Sequence, residues 1–387
     1  MKPTAGFPRA NGRKRWRAAF GVGAAFVALS FGTARAADRF GFTDGTEPIR
    51  LEQRSTRSGW ASADQCGDCH AETVAQWEAS RHRISWTNDI FQAGFLAEPQ
   101  PFCIQCHAPA EEQLVEVVAN LDIYTKLWFD IDFGGALGHL APEPKAAEGV
   151  NCVVCHLRDG QILTASEPSP DSPHEYRVDP LFGTSAACTT CHDFQMVEFV
   201  NGALVETDQV MQATAHEWEA WRERSGRTEH CPDCHMPDGD HTMPGANTPS
   251  RLRKTIHVAE QASPPALVLS VKDVGHAVPT GDLFRHLTLE ARCDDDWTVL
   301  SKFGRTFAHR GEDGEGAKQQ VADTRLVPGT DTVVEIPAAC GGQEWRLRYH
   351  LGGSHDEARG LVPLQHLIYT VKSGTLPPTG DERHPKR

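Results

Sequence analysis

The sequence predicts a mainly α and irregular domain followed by an all-β, sandwich-like C-terminal domain, and three observations predict it. Five Cys-x-x-Cys-His motifs crowd into residues 66–235. Around them Pro and Gly punctuate the chain so closely that only short helices fit, near 72–85, 111–124 and 210–224. After Arg253 the motifs stop and short alternating apolar segments begin.

Residues 1–36 read as an export signal. Lys2, Arg9, Arg13, Lys14, Arg15 and Arg17 form a basic segment, residues 18–31 an apolar one, and Ala34-Arg35-Ala36 a small-residue cleavage site. The apolar run is well short of the roughly 20 residues that span a bilayer, so cleavage after Ala36 fits better than a retained anchor. A chain soluble after cleavage, in the periplasm or otherwise exported into the cell envelope, is expected. Residues 37–60 read as a linker, 61–253 as the motif-bearing domain, 254–375 as the β domain and 376–387 as a polar tail.

Ten of the twelve cysteines fall into Cys66-Gly-Asp-Cys69-His70, Cys103-Ile-Gln-Cys106-His107, Cys152-Val-Val-Cys155-His156, Cys188-Thr-Thr-Cys191-His192 and Cys231-Pro-Asp-Cys234-His235. Composition alone predicts roughly 0.02 such motifs in a chain of this length. The spacing has a physical use: two thiols three positions apart can each form a thioether to a haem edge, and the adjacent His turns its imidazole to the iron. Five covalently attached haem c groups are the expected cofactors, with His70, His107, His156, His192 and His235 as proximal ligands. Zinc sites would need the pairs to converge in fours, whereas each pair here carries its own His at one offset. Dithiol redox chemistry leaves that His unexplained.

The opposite face of each iron needs a second ligand. Met196, Met211, Met236 and Met243 are few, while fourteen of the nineteen histidines lie outside the motifs. His82 follows Val74, Trp77 and Glu78 at helical spacing. Twelve helical residues put it about 18 Å from His70, whereas trans axial nitrogens lie only about 4 Å apart. His82 must therefore reach a neighbouring iron. His174 sits in a Pro-rich loop ahead of Cys188, His241 on a turn-prone segment after the fifth motif, and His276 in a loop between apparent strands. His139, after a Gly-rich stretch, is the remaining distal candidate. An open iron there would change the function.

These residues carry a resemblance to the cytochrome c-554 and hydroxylamine-oxidoreductase-like multihaem cytochromes. Its matching segments are Trp77-Glu78-Ala79-Ser80-Arg81-His82, Glu148-Gly149-Val150-Asn151-Cys152, Glu217-Trp218 ahead of the fifth motif with Met236-Pro237 after it, and Gly275-His276-Ala277-Val278-Pro279-Thr280-Gly281. The resemblance implies a mostly helical haem domain, haem planes in parallel stacks and near-perpendicular pairs, and distal ligation by His82, His174, His241 and His276. His139 has no counterpart in it.

Beyond Arg253, residues 266–272, 287–293, 332–336, 344–350 and 367–372 read as strands, and a β-sandwich follows from their number and spacing. Cys293 and Cys340 lie outside the motifs at strand edges. A disulfide between them is the simplest account in an oxidising compartment, with two free thiols as the alternative. If His276 binds iron, the β domain is a lid locked onto the haem array; otherwise it serves to dock a partner.

The formal net charge is −14, and the first 36 residues hold seven basic and no acidic side chains, so the processed chain stands near −21. Nucleic acid is an unsuitable partner for such a surface, and basic or membrane-bound redox proteins suit it. No motif ends in Lys in place of His, and the four tyrosines offer little for a haem cross-link. The expected role is electron relay through mostly bis-His haems, without catalytic residues. The alternative is a haem-dependent oxidoreductase acting on a small nitrogen or sulfur compound at one five-coordinate haem.

Overall fold

The computed structural model describes residues 61–97, 101–110, 112–113, 117, 144–158, 160–200, 203–310, 318–353, 360 and 362–378. The leader, the linker, His139 and most of the 111–124 segment lie outside the described residues. The architecture is mixed, with helices and several β-sheets. Among the described residues no helix is long and apolar enough to cross a membrane.

Each motif occupies a turn or so of helix. Helix α1 is Ala63–Glu78, α2 Asp89–Ala97, α3 Pro101–His107, α4 Cys152–His156, α5 Ala186–His192, α6 Thr214–Ser225 and α7 Cys231–His235. Four of the five motif-bearing helices, α3, α4, α5 and α7, end on the motif histidine. In α1 His70 breaks the helix with φ −114° and ψ 41°. The reason is local: one turn places Cys at i and i+3 on one face, and the chain then leaves the helix so that the next side chain can turn away.

Two expectations for this region need correction. Helix does not run through residue 85. It ends at Glu78, and residues 79–87 are turns, because Ser80 is buried and its Oγ accepts the Arg83 N–H while the His82 carbonyl accepts Val150 N–H at 3.0 Å. Nor is the 210–224 segment all helix. Its first residues belong to β5 (Ala203–Ala213), which pairs antiparallel with β4 (Asp193–Val200). With the small sheet of β1 (Leu157–Arg158), β2 (Gln161–Thr164) and β3 (Tyr176–Val178), this region carries more strand than a mainly α reading allows.

After α8 (Pro249–Thr255), strands β6 (Ile256–Ala262), β7 (Pro265–Val271) and β11 (Thr332–Glu335) form a three-stranded sheet in the order β11-β7-β6. A five-stranded sheet runs β10-β9-β8-β12-β13, made from Lys318–Asp323, Asp296–His309, His286–Cys293, Glu344–His350 and Ile368–Thr375. All its pairings are antiparallel. Leu267 and Leu269 of the smaller sheet share one buried core with Leu287, Leu289, Ala291, Trp345, Leu347 and Tyr349 of the larger. Register aligns these residues across the strands: Leu287 faces Tyr349, Leu289 faces Leu347 and Ala291 faces Trp345. Strand alternation sends His286, Thr288, Glu290 and His350 to the other face. Cys293 and Cys340 are bonded across a separation of 47 residues.

The motif-bearing part and the sheets touch in several places. Arg305 of β9 donates to the Val210 and Met211 carbonyls of β5, and Ala93 of α2 packs with Val362 and Leu367 beside β13. These contacts bring the loop between β7 and β8, which carries His276, over the motifs.

Candidate haem site

A cavity of about 2600 Å³ runs through the motif-bearing part and is lined by cysteines and histidines of all five motifs. It far exceeds the roughly 300–1,000 Å³ of a pocket for one small molecule. Into it point the rings of His82, His174, His241 and His276, each opposite a motif histidine.

The four pairings share one spacing. Ring centroids are 6.4 Å apart for His70 and His174, 6.2 Å for His192 and His82, 6.1 Å for His156 and His241, and 6.3 Å for His235 and His276. Two imidazoles sharing one metal at about 2 Å, with ring nitrogens about 1.1 Å from their centroids, hold their centroids about 6.2 Å apart. A pair with nothing between behaves differently: His286 and His350 on the sheet stack at 4.2 Å. The residues present thus fit a planar metal macrocycle between each pair, with thiols of the same motif ready for its edge. Among the described residues no group of three or more His, Cys, Asp or Glu converges on a metal-sized point.

Hydrogen bonds aim the rings. Nδ1–H donates to a main-chain carbonyl in His107 (Ser85, 2.8 Å), His156 (Leu163, 3.2 Å), His235 (Pro244, 2.8 Å), His241 (Gly239, 2.7 Å) and His276 (Ala277, 2.9 Å). This arrangement fixes the tautomer and leaves Nε2 with a lone pair facing the gap. His82 differs, since its Nδ1 faces the sulfur of Met243. Burial reinforces neutrality: it is the largest cause lowering His82 and His235 to about 4 and His192 to about 3, with the proximity of other histidines adding to the effect in each case and a neighbouring arginine at His192 and His235. His107, His156 and His276 are also lowered, first by burial. A metal ligand must be unprotonated, so the environment favours the binding form.

The ten motif cysteines carry no disulfide, and Cys69 and Cys234 are the most exposed of them. Thiols of different motifs lie near enough to influence each other in three places, Cys66 beside Cys152, Cys106 beside Cys191, and Cys188 beside Cys231. His107 stands apart from the other motif histidines. Its ring stacks on Phe91 at 3.7 Å, and among the described residues no imidazole faces it across a comparable gap. His139, the fifth distal candidate, lies outside the described residues.

Residues without obvious chemistry hold this arrangement together, and motif reading passes over them. Trp77 of α1 donates to the Val150 carbonyl at 2.8 Å, and Glu148 accepts from Ala63 N–H at 3.0 Å and Asn151 Nδ2 at 2.8 Å. Gln113 donates to the carbonyls of Lys145 and Gly149, both at 2.8 Å. The segment leading into the third motif is thereby tied to the first motif and to the His82 turn. Its only signal in the sequence is the Glu148-Gly149-Val150-Asn151 run beside Cys152.

The sequence model of the family described as cytochrome c554 and c-prime matches residues 65–122, which contain the first two motifs. No curated protein matches the chain. Among solved structures, a penta-haem cytochrome c552 from Thermochromatium tepidum is similar, with 21% identity and a TM-score of 0.57 over 81% of this chain and 98% of that one. In its fold, and in the segment around its first two motifs, the chain is therefore similar to multihaem c-type cytochromes.

Proposed function

We propose that the chain is an exported pentahaem c-type cytochrome that relays electrons between redox partners of the cell envelope. The observation carrying this reading is the set of four imidazole pairs at 6.1–6.4 Å, each beside its own Cys-x-x-Cys pair. Haem would supply one-electron redox chemistry, attached through Cys66/Cys69, Cys103/Cys106, Cys152/Cys155, Cys188/Cys191 and Cys231/Cys234. The haems would be held between His70 and His174, His156 and His241, His192 and His82, and His235 and His276. Residues 61–253 form the relay, and residues 254–375 close over it and supply His276.

The chain's own work is to set spacing and to exclude water. Contacts between thiols of different motifs support one connected relay in which the first motif adjoins the third, and the fourth adjoins both the second and the fifth. Cationic or membrane-bound redox proteins are the partners that the processed charge near −21 favours.

A second reading has one observation behind it, the lack, among the described residues, of an imidazole opposite His107. An iron held there with a free face would bind a small nitrogen or sulfur compound and make the chain an oxidoreductase. One set of measurements tests both. The purified protein should hold five haems per chain by the pyridine haemochrome assay, and its oxidised form should be at least four-fifths low-spin. A colourless protein, or one mostly high-spin, refutes the relay. A spectral shift on adding nitrite or hydroxylamine at a single high-spin iron favours the second reading, and wholly low-spin iron refutes it.

A further inference from the structure

His276 is contributed by the loop between β7 and β8, remote in sequence from the helices that carry the motifs, so something must hold that loop at the distance a shared iron demands. Glu217, in the first turn of α6, lies beside it. Its side chain is 12% exposed and that of its partner Arg325 is 8% exposed. One carboxylate oxygen of Glu217 accepts the Ala277 N–H at 3.2 Å and the Thr280 hydroxyl at 2.7 Å. The other pairs with the Arg325 guanidinium. Arg325 is itself anchored by Asp323, through contacts of 2.9 and 2.6 Å, and donates to the Pro279 carbonyl at 3.4 Å.

The rest of the loop is gripped from both sides. Thr214, the first residue of α6, shares a 2.9 Å hydrogen bond with Thr280, while Val278 and Leu326 exchange main-chain hydrogen bonds of 2.8 and 3.0 Å. Gly275 passes so close to α6 that an added Cβ would lie 3.0 Å from the Trp221 ring. The His276 ring is oriented by the Ala277 carbonyl, and the Ala277 N–H ends on Glu217. A continuous set of contacts therefore runs from Arg325 through Glu217 to Ala277, the residue whose carbonyl orients the His276 imidazole.

We propose that Glu217, held by Arg325, is the positioning residue for His276, clamping the β7–β8 loop onto α6 so that the imidazole stands opposite His235. The proposal rests on the reading of His235 and His276 as an axial pair. The carboxylate is suited to the task because its two oxygens serve different sides. One receives two donors from the loop, and the other receives the cation that keeps the carboxylate oriented. A neutral side chain at this position would keep at most part of that grip and would leave the Arg325 charge without one of its partners.

The test uses the full haem-loaded protein and reads spin state and the reduction potentials of the separate haems. Glu217→Ala should turn up to about one-fifth of the iron high-spin, and added imidazole should restore the low-spin signal. Glu217→Gln should fall between wild type and Glu217→Ala. Should Glu217→Ala fail to accumulate, Thr280→Val removes the hydroxyl's contacts with Glu217 and Thr214 with little change of volume and should show the same shift in smaller degree. His276→Ala separates the two layers of the argument. If it leaves the spectrum unchanged, the axial pairing itself is wrong. If it frees one iron while Glu217→Ala and Thr280→Val only lower the melting temperature and leave spin state and potentials as in wild type, Glu217 is merely structural and the proposal falls.

Discussion

Gly149→Ala is the most informative single substitution away from the ligands. Gly149 closes the short 3-10 turn Ala146–Glu148 with φ 61° and ψ −136°, a conformation that suits glycine alone. An added Cβ would lie 2.5 Å from Ser85 Oγ and 2.9 Å from the Arg83 carbonyl oxygen, and closer still to the carbonyl oxygen of His82. Real Cβ atoms essentially never approach a neighbour within 3.0 Å, so the His82–Ser85 turn must retreat by at least 0.5 Å. Rotating Ser85 offers no relief, because its hydroxyl accepts Val150 N–H at 3.1 Å and donates to the His107 carbonyl at 2.8 Å. Backbone strain costs about 1–3 kcal/mol, and the two hydrogen bonds about 1 kcal/mol each. A loss of about 3–5 kcal/mol follows, or roughly 4–6 °C in melting temperature for a chain of this size. Metal-ligand distances tolerate only about 0.2 Å, so His82 should also lose its grip opposite His192. Melting curves and electron paramagnetic resonance of the haem-loaded variant measure both effects. Wild-type stability together with wild-type low-spin content would refute the account of Gly149; lost stability with unchanged iron would refute its coupling to His82.

Three further outcomes are expected. Leu347→Ala empties a fully buried core position and should lower stability by about 2–5 kcal/mol, leaving the room-temperature spectrum unchanged; an altered spin state would show that the sheets and the motifs do not behave as separate packing problems. Replacing Cys293 and Cys340 together with alanine opens a loop spanning 47 residues and should cost about 4 kcal/mol by denaturant titration, against no change if the pair is idle. Burial raises the Glu290 carboxyl, but hydrogen bonds from Arg346 and Thr288 and the charges of Arg346 and Arg348 outweigh it and hold the group below its ordinary value. With the folded value depressed, its contribution is present above the unfolded range near about 4.3 and is lost as pH falls through the folded value. Acid unfolding of the sheets should flatten in that window in Glu290→Gln, and an unaltered pH profile would contradict the assignment.

How much was legible in the sequence follows from which signals are local. Expected strands at 266–272, 287–293, 332–336 and 344–350 match β7, β8, β11 and β12 to within a residue or so, because burial of Leu267, Leu269, Leu287, Leu289 and Leu347 imposes alternation on neighbouring residues. Residues 368–372 of the last expected strand fall in β13, while Leu367 ends the helical turn before it. Strands β6, β9 and β10 left no such mark. Most residues of β9 and β10 are exposed or half-buried, so pairing, of β9 with β8 and of β10 with β9, rather than an apolar face defines them. Likewise, Val210 to Ala213 look helical by their own composition but pair with β4, and the helix starts only at Thr214.

The same division holds at the site. By itself the sequence determined the five Cys-x-x-Cys-His motifs, because attachment and proximal ligation need residues within one turn of helix, and it nominated His82, His174, His241 and His276. Which of these faces which motif was a matter for the tertiary structure. The pairing of His82 with His192, or of His276 with His235, spans tens of residues and is decided by where Gly149, Glu217 and Arg325 hold the backbone. A motif spaced along the chain records covalent reach, whereas a ligand from across the fold depends on packing that no local spacing encodes.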